Sequence, residues 1–148
     1  SSRFWALIIS IDKYESRPLQ GCVNDGKSMK EYFTKDLGVP EQNVRCLFNE
    51  STTHAAIVSY SALCSILSDT CILNGDIIII YFAGHGSSYT DLGHSSDEYD
   101  CVEAICPIDR GTHHNGRTVL DLSDRKFNSI LSLISHAKGH RITVLFDC

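Results

Sequence analysis

His85 stands between two glycines in the run Ala83-Gly84-His85-Gly86-Ser87, directly after the most apolar stretch of the chain. Flanking glycines let the backbone turn sharply and bring its N–H groups close to whatever the imidazole faces. An imidazole so placed can act as acid or base near neutral pH; the competing reading is an ordinary polar loop residue. The run Leu145-Phe146-Asp147-Cys148 ends a second apolar stretch with an acid and a thiol. If the two stretches are adjacent strands, His85 and the Asp147 region face one crevice. A cysteine and a histidine sharing a crevice make an activated nucleophile, in which the thiolate attacks and the imidazole manages protons. Taken alone, Cys148 reads as a small buried hydrophobe. The other histidines, His54, His94, His113, His114, His136 and His140, lack such a setting and are assigned to surface or loop roles.

Elements must hold these groups in place, and their pattern is legible. Phe4 to Ile11 is continuously apolar, as are Asp76 to Phe82 and Arg141 to Phe146 after their polar first residues. Such runs suit strands covered on both faces of a mostly parallel sheet. Val44 to Phe48 is a shorter candidate. Between the strands the period is helical: Met29, Tyr32, Phe33 and Leu37 form one stripe, with Asn24 or Asp25 as its cap and Gly38 as its stop. Ile57, Tyr60, Cys64 and Leu67 form a second after Thr52 and Thr53, and Phe127, Ile130, Leu131 and Ile134 a third between Ser123 and Gly139. Strands alternating with helices predict an α/β layered domain. The segment from Gly84 to Leu122 breaks the rhythm, with one short strand near Val102 to Cys106, and is expected to be a long irregular insertion carrying function. It leaves from the carboxyl end of a strand, the edge where open α/β sheets assemble their sites.

The bulk properties narrow the function. The sequence has 148 residues, 43% of them hydrophobic and 21% charged, which is ordinary globular usage and fits one domain, 1–148. A net charge of −5 without clustered Lys or Arg argues against nucleic-acid binding. No run of apolar residues is long enough to span a bilayer, so no membrane partner is expected and a cytoplasmic protein is the default. The 7 cysteines are odd in number and lack a C-x-x-C pair, which indicates neither a disulfide framework nor a zinc site. Most are expected to be reduced and buried.

The ordered set of blocks Ala6-Leu7-Ile8-Ile9-Ser10-Ile11-Asp12-Lys13-Tyr14, Leu19-Gln20-Gly21-Cys22-Val23-Asn24-Asp25, Tyr81-Phe82-Ala83-Gly84-His85-Gly86, Ile105-Cys106-Pro107-Ile108-Asp109 and Thr143-Val144-Leu145-Phe146-Asp147-Cys148 resembles the metacaspase branch of the caspase-like cysteine peptidases. The resemblance implies a three-layer caspase-like sandwich, a mostly parallel sheet flanked by helices, and covers the family's large-subunit region. It implies a Cys–His dyad with His85 as the histidine. In the family's Asp-x-Cys register Asp147 is the aspartate, Cys148 the intervening residue and the position after Cys148 the nucleophile, so this stretch alone is expected to be inactive. Side chains alternate along a strand, so Cys148 is expected to point away from the crevice. A nucleophilic Cys148 is the alternative register.

The family's acidic specificity pocket falls on Cys22, Asp25 and Asp147, which implies protein or peptide substrates cleaved after Arg or Lys. Converging carboxylates favour a guanidinium or ammonium; Asp25 can also serve as a helix cap. Ala83 replaces a serine common two residues before the histidine. The backbone N–H of Gly86, with that of the nucleophile, would hold the oxyanion. No cofactor is required by this chemistry. Some metacaspases need calcium, and Asp91, Asp97, Glu98, Asp100 and Glu103 offer hard oxygen ligands, but Val102 stands where half of an acid pair is expected and a solvated acidic loop is the favoured reading. The rival functions are a caspase-like scaffold without catalysis and, more distantly, a flavodoxin-like binding or receiver domain.

Overall fold

The computed structural model describes residues 3–60, 63–90 and 101–148. Its centre is a parallel sheet in the order β2-β1-β3-β9, formed by β1 (Phe4–Ser10), β2 (Val44–Phe48), β3 (Ile77–Ala83) and β9 (Ile142–Asp147). β1 and β3 lie inside the sheet, and their residues alternate between two cores. Leu7, Ile9, Ile78, Ile80 and Phe82 enter the core shared with α2 (Leu63–Ser68) and α3 (Asp124–Lys138). Ala6, Ile8, Tyr81 and Ala83 enter the other, with Phe33 and Met29 from the segment that includes α1 (Cys22–Glu31). Strands buried on both faces are necessarily apolar at every position, which is why these runs show no alternation.

β9 differs from the expectation of a strand covered on both sides. It forms a sheet edge among the described residues, and α1 packs on β1, β2 and β3. Leu145 and Phe146 are therefore 41% and 53% exposed.

The helix boundaries follow their caps with one exception. Ser123 accepts from the Lys126 N–H at the start of α3, and Gly139 ends it at φ 92°, where glycine is favoured. Thr53 Oγ1 accepts from the Ala56 N–H at the second helical segment. Tyr60 and Cys64 of that stripe lie outside the residues whose side chains are described. At α1 neither Asn24 nor Asp25 is the cap. Gly21, at φ 114°, occupies that position, and the carboxylate of Asp12 accepts from the N–H groups of Cys22 at 2.9 Å and Val23 at 3.2 Å. Beyond α1 the chain widens into a π turn over Tyr32–Asp36, closed by Leu37 N–H to the Tyr32 carbonyl. The extra residue in that turn moves Leu37 off the buried stripe, so Phe33 is buried while Tyr32 and Leu37 are about half exposed.

Among its described residues the segment from Gly84 to Leu122 is more regular than expected, and the strand expected near Val102 to Cys106 is present. After β3 it forms β4 (Gly86–Thr90), β5 (Cys101–Ile105), the hairpin β6 (His113–His114) and β7 (Arg117–Thr118), and β8 (Leu122–Ser123). β4, β5 and β8 make a three-stranded antiparallel sheet whose inner residues Ile105 and Leu122 join the α3 core. β4, β6, β7 and β8 are short or exposed along most of their length and carry too little apolar signal to be found by periodicity. Most described cysteines are not buried either: Cys106 is, whereas Cys71, Cys101 and Cys148 are exposed and Cys22 and Cys46 are intermediate, all unpaired.

Candidate active site

The carboxyl ends of β1, β3 and β9 meet at one edge of the sheet, with Ser10 opposite Ala83 and Ala83 opposite Asp147. Gly84 follows, and its size matters: a Cβ there would lie 2.6 Å from the hydroxyl of Tyr14. That hydroxyl accepts from the His85 N–H at 3.0 Å and donates to the Cys106 carbonyl at 2.9 Å, while the Cys106 N–H donates to the His85 carbonyl at 3.0 Å. Three hydrogen bonds thus close a ring that fixes the His85 backbone. Burial pushes the Tyr14 hydroxyl well above the ordinary phenol range, so it stays protonated and able to donate.

The imidazole is held as firmly as its backbone. Its ring centroid lies 4.6 Å from that of Tyr14. His85 Nε2 sits 2.7 Å from the Arg17 carbonyl oxygen, an atom that can only accept, so Nε2 carries the proton and Nδ1 is the nitrogen left to exchange one. Arg17 is at φ 57°, which costs a non-glycine residue about 1 kcal/mol. This turn brings its carbonyl to the ring.

Across the edge, Asp147 accepts from the Tyr81 hydroxyl at 3.1 Å, and its carbonyl accepts from the Gly84 N–H at 3.2 Å. Burial and then the charges of Asp12, Asp147 and Asp25 push the Cys22 thiol up to about 11. Tyr81 is pushed up to about 12 by burial, by its hydrogen bond to Asp147, and by the charges of Asp147 and Asp25. Asp25 and Asp147 therefore act on the same spot. A cleft of about 870 Å³ is lined by Cys22, His85, Gly86, Asp147 and Cys148, together with Glu103 and Phe146. Asp25 is not on its wall; it acts from the first turn of α1.

Cys148 does not point away from the crevice. Alternation does hold, since Asp147 meets Tyr81 on the α1 face while the Cys148 Sγ lies 3.5 Å from where a Cβ on Gly86 would be. The cleft spans the end of the sheet, and so collects side chains from both faces. Burial and then the charges of Asp147 and Glu103 push the Cys148 thiol up, which disfavours its thiolate.

Of the acids considered for calcium, Asp91, Asp97, Glu98 and Asp100 lie outside the described residues. Glu103 is exposed on β5 beside the buried Val102, one carboxylate where a calcium site needs several. Among the described residues no group of three or more His, Cys, Asp or Glu is placed to hold a metal. His94 also lies outside them, and His54 bonds through Nδ1 to the Leu120 carbonyl at 2.7 Å. No helix among the described residues is long and apolar enough to cross a membrane.

Motif reading singled out neither Asp12, Tyr14, Arg17 nor Tyr81 for a role in the site. Asp12 and Tyr14 stand in a motif run, where their types gave the only signal. The Arg17 contribution is a backbone carbonyl, and no side-chain pattern could reveal it.

A covered parallel sheet that presents a fixed imidazole at its carboxyl edge places the chain in the caspase-like class of α/β domains. The profile of the metacaspase peptidase C14 domain matches residues 5–148. Similar curated proteins include Metacaspase III c of Phaeodactylum tricornutum, 29% identical over 97% of this chain and 41% of its own length. Metacaspase-1A of Aspergillus oryzae is 30% identical over 96% of this chain and 33% of its own. A crystal structure of a Geobacter sulfurreducens protein superposes with a TM-score of 0.66 at 18% identity, covering 97% of this chain and 48% of that one, which shows the fold alone. The chain belongs to the metacaspase family of cysteine peptidases. It spans less than half the length of these relatives.

Proposed function

We propose that the protein containing this chain is a cysteine endopeptidase that cleaves after Arg or Lys through a Cys–His dyad. The observation that carries this reading is the Nε2 bond of His85 to the Arg17 carbonyl, which leaves Nδ1 to exchange protons in a cleft that also holds Asp147 and Cys22. The thiolate one position after Cys148 attacks the scissile carbonyl, and the C–N bond breaks as His85 protonates the departing amine. Water then hydrolyses the thioester, giving a proton to the imidazole. The Gly86 N–H and that of the nucleophile hold the oxyanion. Cys148 itself is disfavoured by its raised thiol.

Specificity for a cation follows from the field at Cys22 and Tyr81. Burial raises both groups most, and the charges of Asp147 and Asp25, with Asp12 at Cys22, raise them further; those same charges would stabilise a guanidinium there. The unpaired thiols of the described cysteines suit a reducing compartment, and we place the protein in the cytoplasm.

The test is covalent labelling of the full-length protein by a peptide electrophile carrying Arg, with peptide mapping of the adduct. Labelling one position after Cys148, lost in His85→Ala, supports the reading. Labelling of Cys148 moves the nucleophile by one residue. No labelling of a folded protein makes it a non-catalytic module.

A further inference from the structure

His85 and Gly86 border a second cavity of about 700 Å³, distinct from the cleft that holds Asp147 and Cys148. We infer, resting on the peptidase reading above, that this second cavity receives the leaving-group side of the substrate and selects an apolar residue directly after the scissile bond.

The side of approach follows from the proton. The imidazole must reach the departing nitrogen as the C–N bond breaks, so the chain beyond that bond passes on the imidazole's side of the nucleophile. The acyl side is held by the acidic end of the first cleft. What remains on the far wall of His85 is the second cavity, which includes Tyr14 and Arg17, the residues that fix the imidazole. Subsite and general acid are thus parts of one rigid unit.

The chemistry of the occupant follows from the lining. Arg110 is bound to Asp121 Oδ2 at 2.8 Å, and the same oxygen accepts from Ser87 at 2.7 Å, so the two charges offset each other, while Asp121 Oδ1 is buried with no hydrogen-bond partner among the described residues. Glu15 and Arg17 at the mouth are opposite in sign and exposed. Ile108, Val119 and Leu120 supply the apolar surface, beside the uncharged hydroxyls of Ser16 and Thr118. Leu120 is 70% exposed, the highest value for a large hydrophobic side chain among the described residues. Its backbone is anchored through its carbonyl to His54. An apolar substrate side chain covering Leu120 removes that surface from water.

The experiment uses the full-length protein and peptides with Arg before the scissile bond and Leu, Ser or Asp after it. An Arg aminomethylcoumarin amide, which has no residue there, is the reference. Relative to the reference, kcat/KM for the Leu peptide should exceed that for the Ser and Asp peptides about tenfold. Leu120→Ser should reduce that preference to about twofold, and Leu120→Asp should abolish it. Cleavage of the coumarin amide with equal rates for Leu, Ser and Asp overturns this inference alone, as does a preference unmoved by both Leu120 variants. No cleavage of any Arg substrate overturns the peptidase reading, and this inference with it.

Discussion

Gly84→Ala tests whether Tyr14 is the clamp on the His85 backbone. Gly84 has no positive φ, so alanine is acceptable to its backbone and the cost is one of space. The new Cβ would lie 2.6 Å from the Tyr14 hydroxyl and 3.0 Å from the Phe82 ring. Tyr14 is 4% exposed and hydrogen-bonded at its tip, so it cannot yield as a flexible chain end would. Overpacking costs about 2 kcal/mol, and displacing the hydroxyl loosens one buried and one partly buried hydrogen bond at about 1 kcal/mol each. The expected loss is about 4 kcal/mol, a large part of the stability of a small domain. Tyr14→Phe alone should cost about 2 kcal/mol, because the His85 N–H and the Cys106 carbonyl lose that partner. The double variant should cost only about 3 kcal/mol, since without the hydroxyl only the Phe82 contact remains. The coupling of about 3 kcal/mol between the two sites is read from urea midpoints of the four proteins. Additive losses, or a Gly84→Ala loss below about 0.5 kcal/mol, would refute the clamp.

Three further outcomes are expected. Asp25→Ala should lower kcat/KM for Arg peptides about tenfold and bring the Tyr81 titration below about 12, because Asp25 adds to the field there; an unchanged Arg-to-Gln selectivity counts against the acidic pocket. Gly26→Ala should destabilise by more than about 2 kcal/mol, as its Cβ would lie 2.2 Å from the buried Ser10 Oγ, and a near-neutral urea midpoint contradicts the close α1–β1 approach. Stability should fall as pH rises from about 9 to 12. Cys22 and Tyr81 are raised to about 11 and about 12, so over that window the folded state binds more protons than the unfolded one, and the contribution present below the unfolded values is lost through the folded ones. Cys22→Ala should flatten the lower part of that slope in urea titrations.

The inner strands of the sheet were legible because they are doubly covered. Phe4 to Ile11 and Asp76 to Phe82 could be placed from apolarity alone, with boundaries only one residue from those observed. α3 was legible for a different reason: Ser123 and Gly139 are local signals, and local capping chemistry is visible in sequence. α1 was misplaced at its start because its cap, Asp12, lies 10 residues before Cys22 and reaches it through the fold. The stripe through Leu37 failed because a π turn changes the period, and no residue in Tyr32–Asp36 announces one. β5 was expected near Val102 to Cys106 and lies at Cys101–Ile105, whereas β4, exposed along nearly all its length, and the two-residue β8 carry too little apolar pattern to be read.

The less legible part of the site has a single origin, the connection that leaves β1 after Ser10. β1 lies between β2 and β3, so the chain leaves it at a point where one neighbour lies on either side, where open α/β sheets form their crevices. From that connection Asp12 caps α1, and so sets where Cys22 and Asp25 stand. Tyr14 pins the His85 backbone, and the Arg17 carbonyl fixes its tautomer. The loop therefore carries no residue of the proposed dyad, yet it determines the relation between the acidic pocket and the imidazole. Substitutions in it should move specificity and proton transfer together, whereas a change at Asp147, bound to the sheet through Tyr81, should move specificity first.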